Sequence, residues 1–392
     1  MTRVMLGVAG FAALLALYLG YVRLTSTDLE LQLSGSEPFG VRFALIDDRP
    51  DAKKPEAQQD EELAALAQAI IWPEQKRVLL YFMNTAARFA ADDEPLSEMS
   101  PGSADRFRDF TEIRSDYSIA IRRSQAERLL NFLEGMTLIV EEPQSFPDTR
   151  FQYPRGVRFY PGGQIMESAL AKRAPDRDLT KFYVNPIEQV YRIQSVILNL
   201  YWRIDEFREK LADKQVQQFA AGLVDSSMDV EELVSLFAFL NLENEVHISV
   251  LEVPLELGRG PRSRRDDRLV VNPKRGRVVF REFAEELKAG RLNTDLFPIE
   301  VLNGTEVGGL ARRVKQFLQD RSLQVLDADN YPYKPLAKSF IVSRSGDTFV
   351  TERLRDITAL EKPRVVFNRA ALDVDASFII GTDFDTKQLR LR

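Results

Sequence analysis

Charge is absent from residues 4–22, and beyond them apolar positions recur with the two-residue period of strands or the 3.6-residue period of helices. At a rise of about 1.5 Å per residue, a helix over 4–22 just crosses a hydrocarbon core of about 30 Å. Tyr18 and Tyr21 near its far end suit the interfacial belt. Arg3 and the terminal amine precede the run, and Arg23 and the non-basic Thr-Ser-Thr-Asp-Leu-Glu follow it. This balance puts the N-terminus in the cytoplasm and the long remainder outside. The run exceeds a usual signal-peptide core and no small-x-small site follows it, so a retained anchor is expected rather than a cleaved signal.

The next block mixes both periods. Strands are expected at 41–46, 77–82, 117–121, 136–140, 246–253, 269–271 and 278–280. Residues 61–71 are ambiguous: alanine and leucine favour helix, yet Pro73 and the next strand sit close behind. Ser124 is a plausible N-cap for a helix to Leu133, and Gly135 closes it. Loops are expected at 91–109 and 143–163, with helices from Gln164 to Leu240 broken around 176–186. The arginine-rich 258–268 reads as an exposed solvated turn, since Asp266 and Asp267 sit inside it. Strands alternating with helices imply α/β layers.

The last block is more regular. Strands at 298–302, 323–326, 339–342, 364–367 and 376–380 alternate with helices at 308–318 and 348–360. Leu310, Val314, Phe317 and Leu318 share one face of the first helix. The order β-α-β-β-α-β-β makes a small two-layer domain. Gly308-Gly309 before that helix is read as a packing turn, because no basic side chains converge there.

Composition narrows the chemistry. The chain has 392 residues, 44% hydrophobic and 29% charged, enough for two cores beyond the anchor. A net charge of −6 argues against nucleic acid as the partner. With no cysteine, disulfides, thiolate catalysis, zinc-thiolate sites and lipoprotein acylation are all excluded. The single histidine, His247, alternates with apolar residues and reads as structural, which removes a Ser-His-Asp triad or a histidine-rich metal site.

Two stretches carry a resemblance. Residues 299–318, IEVLNGTEVGGLARRVKQFL, and the ending FIIGTDF at 378–384 are similar to the LytR C-terminal domain, with its strand, N-G-(T/S) turn, G-L-A helix and closing G-x-D-(F/Y). That domain commonly follows a LytR-CpsA-Psr (LCP) domain, and the front block resembles a degenerate one. The matching pieces are Tyr117 to Ile121 leading to Glu134-Gly135-Met-Thr-Leu-Ile-Val140, then Tyr153-Pro-Arg-Gly156 with Pro161-Gly-Gly-Gln164. Ala169-Leu-Ala-Lys-Arg173, Tyr191-Arg-Ile-Gln194 and Leu251-Glu-Val-Pro254 continue the series. The resemblance implies an anchored α/β sandwich over 38–285, a linker at 286–296 and the small domain at 297–385.

LCP enzymes move a phospho-glycopolymer from a polyprenyl pyrophosphate to peptidoglycan, which needs acids for a divalent metal and arginines for the pyrophosphate. Here the stretches matching the family's R-x-D-T and S-I-P-R-D read Glu62-Leu-Ala-Ala65 and Phe82-Met-Asn-Thr85. The expectation is therefore a non-catalytic relative at the outer face of the cytoplasmic membrane, binding lipid-linked glycan or envelope partners. Arg155, Lys172, Arg173 and Arg192 are the candidate anion ligands, and Asp47 and Asp48 the candidate metal ligands. An active transferase using magnesium, with its site rebuilt from those six residues, is the alternative. A purely structural assembly protein, its groove filled by Phe182, Tyr183, Tyr191 and Trp202, is the third.

Overall fold

The computed structural model describes residues 26–49, 61–89, 95–98, 106–140, 143–146, 151–171, 179–203, 210, 212–240, 245–258, 269–292, 297–358, 364–367 and 373–385, with the side chains of 179–186 and 364 left aside. Residues 4–22 and 259–268, and with them the expected anchor and basic turn, lie outside the described residues. Among the described residues no helix is long and apolar enough to cross a membrane.

The front domain is built on β1 (Phe39–Asp47), β2 (Glu62–Trp72), β3 (Arg77–Met83), β4 (Ser115–Arg122), β9 (Asp225–Ser226) and β10 (His247–Glu252). They hydrogen-bond in the order β10-β3-β2-β1-β4-β9, with β10–β3 and β1–β4 parallel and the other pairs antiparallel. Both faces are covered. On one lie α1 (Asp28–Leu33), α3 (Arg123–Phe132), α4 (Gly162–Leu170), α5 (Leu179–Tyr201), α6 (Lys214–Ala221) and α7 (Val230–Phe239). On the other lie α2 (Arg108–Thr111) and α8 (Pro273–Lys288).

That double burial resolves the ambiguous segment. β2 is buried along nearly its whole length, so its alanines and leucines reflect two covered faces rather than a helix. Residues 278–280, expected as a strand, lie inside α8. Asn272 caps that helix, Pro273 opens it, and Phe280, Phe283 and Leu287 form its buried stripe. The break expected to 186 also ends sooner, since α5 begins at Leu179 and runs through Pro186. Ser124 does not cap α3. Its N–H and hydroxyl instead donate to Asp48 at 3.1 and 2.5 Å, so a carboxylate from the β1 exit satisfies the first turn. Within the expected 143–163 loop stand β6 (Gln144–Ser145), β7 (Gln152–Tyr153) and β8 (Gly156–Tyr160), the last pairing with β5 (Met136–Val140).

Gly135 closes α3 at φ +75°, where a Cβ would lie 2.4 Å from the Tyr160 carbonyl oxygen. Gly135→Ala should therefore cost about 1–3 kcal/mol, measured as a shift of the urea midpoint, by adding a clash to a left-handed residue.

The second domain has sheet order β14-β13-β17-β15-β16, made of β14 (Gln324–Asn330), β13 (Pro298–Asn303), β17 (Ala376–Ile380), β15 (Phe340–Ser343) and β16 (Arg364–Phe367). One face packs on α9 (Leu310–Gln319) and α10 (Thr348–Thr358). On the other, Phe340, Val342 and Ile379 meet Ile139 and Val157 of the front domain. The domains share further contacts along β3, β10 and α5. Arg77, 1% exposed, lies 3.0 Å from Asp347, which also accepts from Ser249 Oγ at 2.9 Å. Ile248 N donates to Thr348 Oγ1, and Phe367 N to Asn199 Oδ1. His247 faces Glu352 at 3.0 Å and packs edge-on against Phe349, a structural position in this seam.

Burial, with the Asp347 carboxylate beside it, pushes the Asp375 carboxyl above its ordinary value, while the Ser345 hydrogen bond pulls the other way. The folded chain then holds a proton that the unfolded chain releases. Stability is lost as pH rises from the ordinary carboxylate value through the raised one, and the full cost is present above it. Asp375→Asn should be more stable than the parent at neutral pH. Denaturant midpoints across pH should show the difference shrinking toward pH 3.8, the ordinary value.

Candidate binding cavity and its polar mouth

The sequence of β2 makes a hollow. Ala65, Ala67 and Ala69 face the α3-α4-α5 layer, whereas Leu66, Ile70 and Trp72 face the α8 side. Three methyl groups in a row leave space that larger side chains would fill. The resulting cavity measures about 220 Å³. Phe43, Leu45, Ala65, Ala67, Leu80 and Phe82 form its floor, with Ile119 and Ile121 of β4 beside them. Leu129 and Leu130 of α3, Met166 and Ala169 of α4, and Ile193, Val196, Ile197 and Leu200 of α5 complete the wall. Every lining residue is apolar. Tyr191 and Trp202 are absent from this lining, and the side chains of Phe182 and Tyr183 lie outside the described residues.

Polar side chains adjoin the lining residues Leu45, Ala169 and Ile193 in the chain. Leu45 lines the floor, and two residues on, Asp47 holds Arg49 through Nε at 3.0 Å and Nη2 at 2.6 Å. Arg49 Nη2 also reaches the Leu170 carbonyl at 3.4 Å, which Gln189 Nε2 approaches at the same distance. Arg192, beside the cavity residue Ile193, donates to the Ser168 and Ala171 carbonyls at 2.8 and 2.6 Å and lies 3.9 Å from Glu188. Its guanidinium sits 4.9 Å from the Phe146 ring centroid. The cause is the C-terminus of α4, whose last carbonyls have no helical partners and carry the negative end of the helix dipole. Two guanidiniums are drawn to them and fixed at the rim. Nearby, Gln194 is fully buried on α5 and donates to Glu252 at 3.1 Å. Tyr153 donates to the Gln164 carbonyl at 2.8 Å, and burial holds its phenol above the usual range, so it is neutral at physiological pH.

The six residues singled out in the sequence thus separate. Asp47, through Arg49, and Arg192 both meet the carbonyls at the C-terminus of α4. Asp48 takes part in capping α3. Arg155 stacks 4.0 Å over Tyr333 of the second domain. Lys172 and Arg173 lie outside the described residues, immediately after Ala171. Three polar residues beside the lining were not foreseen: Arg49, Gln194, which follows Ile193, and Glu252, paired in register with Phe82. The Asp47-x-Arg49 spacing was the available signal for the first, since residues two apart on an extended segment point to one side. Among the described residues no group of three or more His, Cys, Asp or Glu side chains converges as a metal site would require.

A three-layer α/β front domain with an apolar cavity, joined to a two-layer α/β domain, defines the class of protein. Residues 297–384 match the family model described as LytR cell envelope-related transcriptional attenuator, so the second domain is a LytR C-terminal domain. Among solved structures the chain is similar to protein gbs0355 from Streptococcus agalactiae, at 14% identity and TM-score 0.48, over 67% of this chain and 91% of that one. It is also similar to the LytR-Csp2A-Psr enzyme from Actinomyces oris, at 13% identity and TM-score 0.47, over 64% and 90%. For TagV from B. subtilis the values are 14%, 0.46, 65% and 98%. No curated protein matches the chain in sequence. The match over 297–384 is with the C-terminal domain that the sequence resembles.

Proposed function

We propose that the front domain binds a polyprenyl-phosphate-linked glycan at the outer face of the cytoplasmic membrane, with residues 4–22 as a single-pass anchor and the N-terminus in the cytoplasm. The observation that supports this reading is an all-apolar cavity beside two arginines held by the carbonyls that follow its wall residue Ala169. An isoprenoid tail suits the first and a phosphate the second, because a guanidinium presents a planar fork of donors matched to phosphate oxygens. Lys172 and Arg173 follow Ala171 in the chain.

The protein is a binder or scaffold rather than a transferase. At the exit of β3, where the resemblance expects an arginine and an acid, Asn84 Oδ1 accepts from Ala86 N and Thr85 Oγ1 donates to the Ala64 carbonyl. Both side chains are turned onto the backbone. Peptidoglycan and other envelope proteins are the partners such a binder would bring together.

The test titrates a short-chain polyprenyl phosphate into the full chain and into an Arg49→Met, Arg192→Met double variant. Losing two charge-assisted contacts should weaken binding by about tenfold to a thousandfold. Equal affinity of the two proteins would remove the phosphate from the mouth. Glycopolymer transfer to peptidoglycan above background by the parent would replace binder with enzyme.

A further inference from the structure

The cavity is too small for the lipid that the reading above assigns to it. An apolar cavity of about 150 Å³ holds one benzene, so about 220 Å³ holds roughly nine carbons, or two isoprene units. A longer tail must leave the domain, and the lining itself marks a way out. Among the lining residues Leu129 is half-buried and Ile197 is 36% exposed, on α3 and α5 respectively.

Apolar surface continues from there. Phe132 lies three residues after Leu129, on the same face of α3. Its ring meets Phe219 of α6 at 5.5 Å between centroids. Phe159 covers the turn that follows, its Cζ 2.7 Å from where a Gly135 Cβ would stand. Phe219 is 46% exposed and Phe159 61%. Cations fringe the patch. Lys210 Nζ lies 6.0 Å from the Phe132 centroid and 2.8 Å from Glu134, and exposed Arg128 stands one turn before Phe132.

We infer that this aromatic patch rests on the bilayer surface and that the lipid tail passes over it from the cavity into the membrane. Exposed phenylalanines with a basic fringe combine the apolar insertion and the attraction to anionic headgroups that hold a protein in the interface. The tether agrees in position. α1, which starts at Asp28, packs on α7, and α7 packs on the helix that carries Phe219. α1, the element that follows the expected anchor in the chain, thus lies in the same helical layer as the patch. The inference rests on the cavity being a lipid site, but the patch is tested separately.

The absence of cysteine allows single-site labelling of the full chain. Phe159→Cys, Phe219→Cys and a control, Val278→Cys on the opposite side of the sheet (52% exposed), would carry an environment-sensitive fluorophore. Each goes into phosphatidylglycerol–phosphatidylethanolamine vesicles containing lipids spin-labelled in the acyl chain. Quenching should be about threefold or more stronger at positions 159 and 219 than at 278, as expected for side chains sunk several ångströms into the interface. Quenching equal to the control overturns the inference, as does failure of the full chain to float with the vesicles. So does a water-shielded label without lipid quenching, which would mean a protein partner on the patch. Native mass spectrometry of the same samples separates the two claims. Strong quenching without retained polyprenyl phosphate upholds the patch and removes the cavity reading; retained lipid without quenching does the opposite.

Discussion

Replacing Ala67 with tryptophan should abolish lipid binding while leaving the fold intact. Ala67 is 4% exposed, its methyl group faces the cavity, and its strand neighbours Phe43 and Phe82 line the same floor. The free volume is about one and a half times that of the cavity that accepts a benzene, so an indole takes up most of it. Larger side chains usually strain a core, at about 1–3 kcal/mol, but here the added atoms enter space that exists. Affinity for a polyprenyl phosphate should fall by about a hundredfold or more, close to 2.7 kcal/mol. The thermal midpoint should stay near the parent value. A plugged variant that binds as well as the parent would show that the tail lies elsewhere.

The second large effect belongs to the seam between the domains. Arg77 is 1% exposed and its guanidinium is held by Asp347 at 3.0 Å and by the Leu292 carbonyl at 3.4 Å. Asp347 also accepts from Ser249 Oγ and from Phe349 N in the first turn of α10, so it orders both sides. In Arg77→Met it would keep Asp375 as a like-charged neighbour and lose its cation. Breaking a buried pair by removing one partner costs about 3 kcal/mol. For a chain of 392 residues that corresponds to a fall in thermal midpoint of roughly 4 °C. The double variant Arg77→Met, Asp347→Asn should recover part of the loss, because it leaves no isolated charge. Equal losses in the single and double variants would mean that packing, not charge, holds the seam.

The limits of the sequence were physical. Single-face amphipathic helices announced themselves, and so did the LytR C-terminal domain, whose helix stripe Leu310, Val314, Phe317 and Leu318 is fully legible and buried. Segments with two covered faces did not. β2 has no periodicity to read, because neither face is solvated. α8 is a single-face helix that was missed for another reason: adjacent Val278 and Val279 imitated a strand although the Phe280–Phe283–Leu287 spacing was helical. Pro186 suggested a break that α5 passes through.

The site divided in the same way. Asp47 stood out as an acid at a strand end, and Arg192 through the stretch resembling the family's arginine-rich segment. Arg49 is held locally by Asp47, but its contact with the α4 terminus spans 121 positions in the chain. Arg155 resembled a ligand in sequence but stacks on an aromatic ring of the other domain. The cavity itself is written in Ala65, Ala67 and Ala69, yet small residues announce a hollow only once the opposing helices are known.

Native mass spectrometry of the full chain, extracted gently from its own membranes, tests the central claim most directly. A species carrying one polyprenyl phosphate or pyrophosphate, lost in Ala67→Trp and depleted in the Arg49→Met, Arg192→Met variant, is the predicted result. Folded protein that carries no lipid from membranes rich in it would contradict the account.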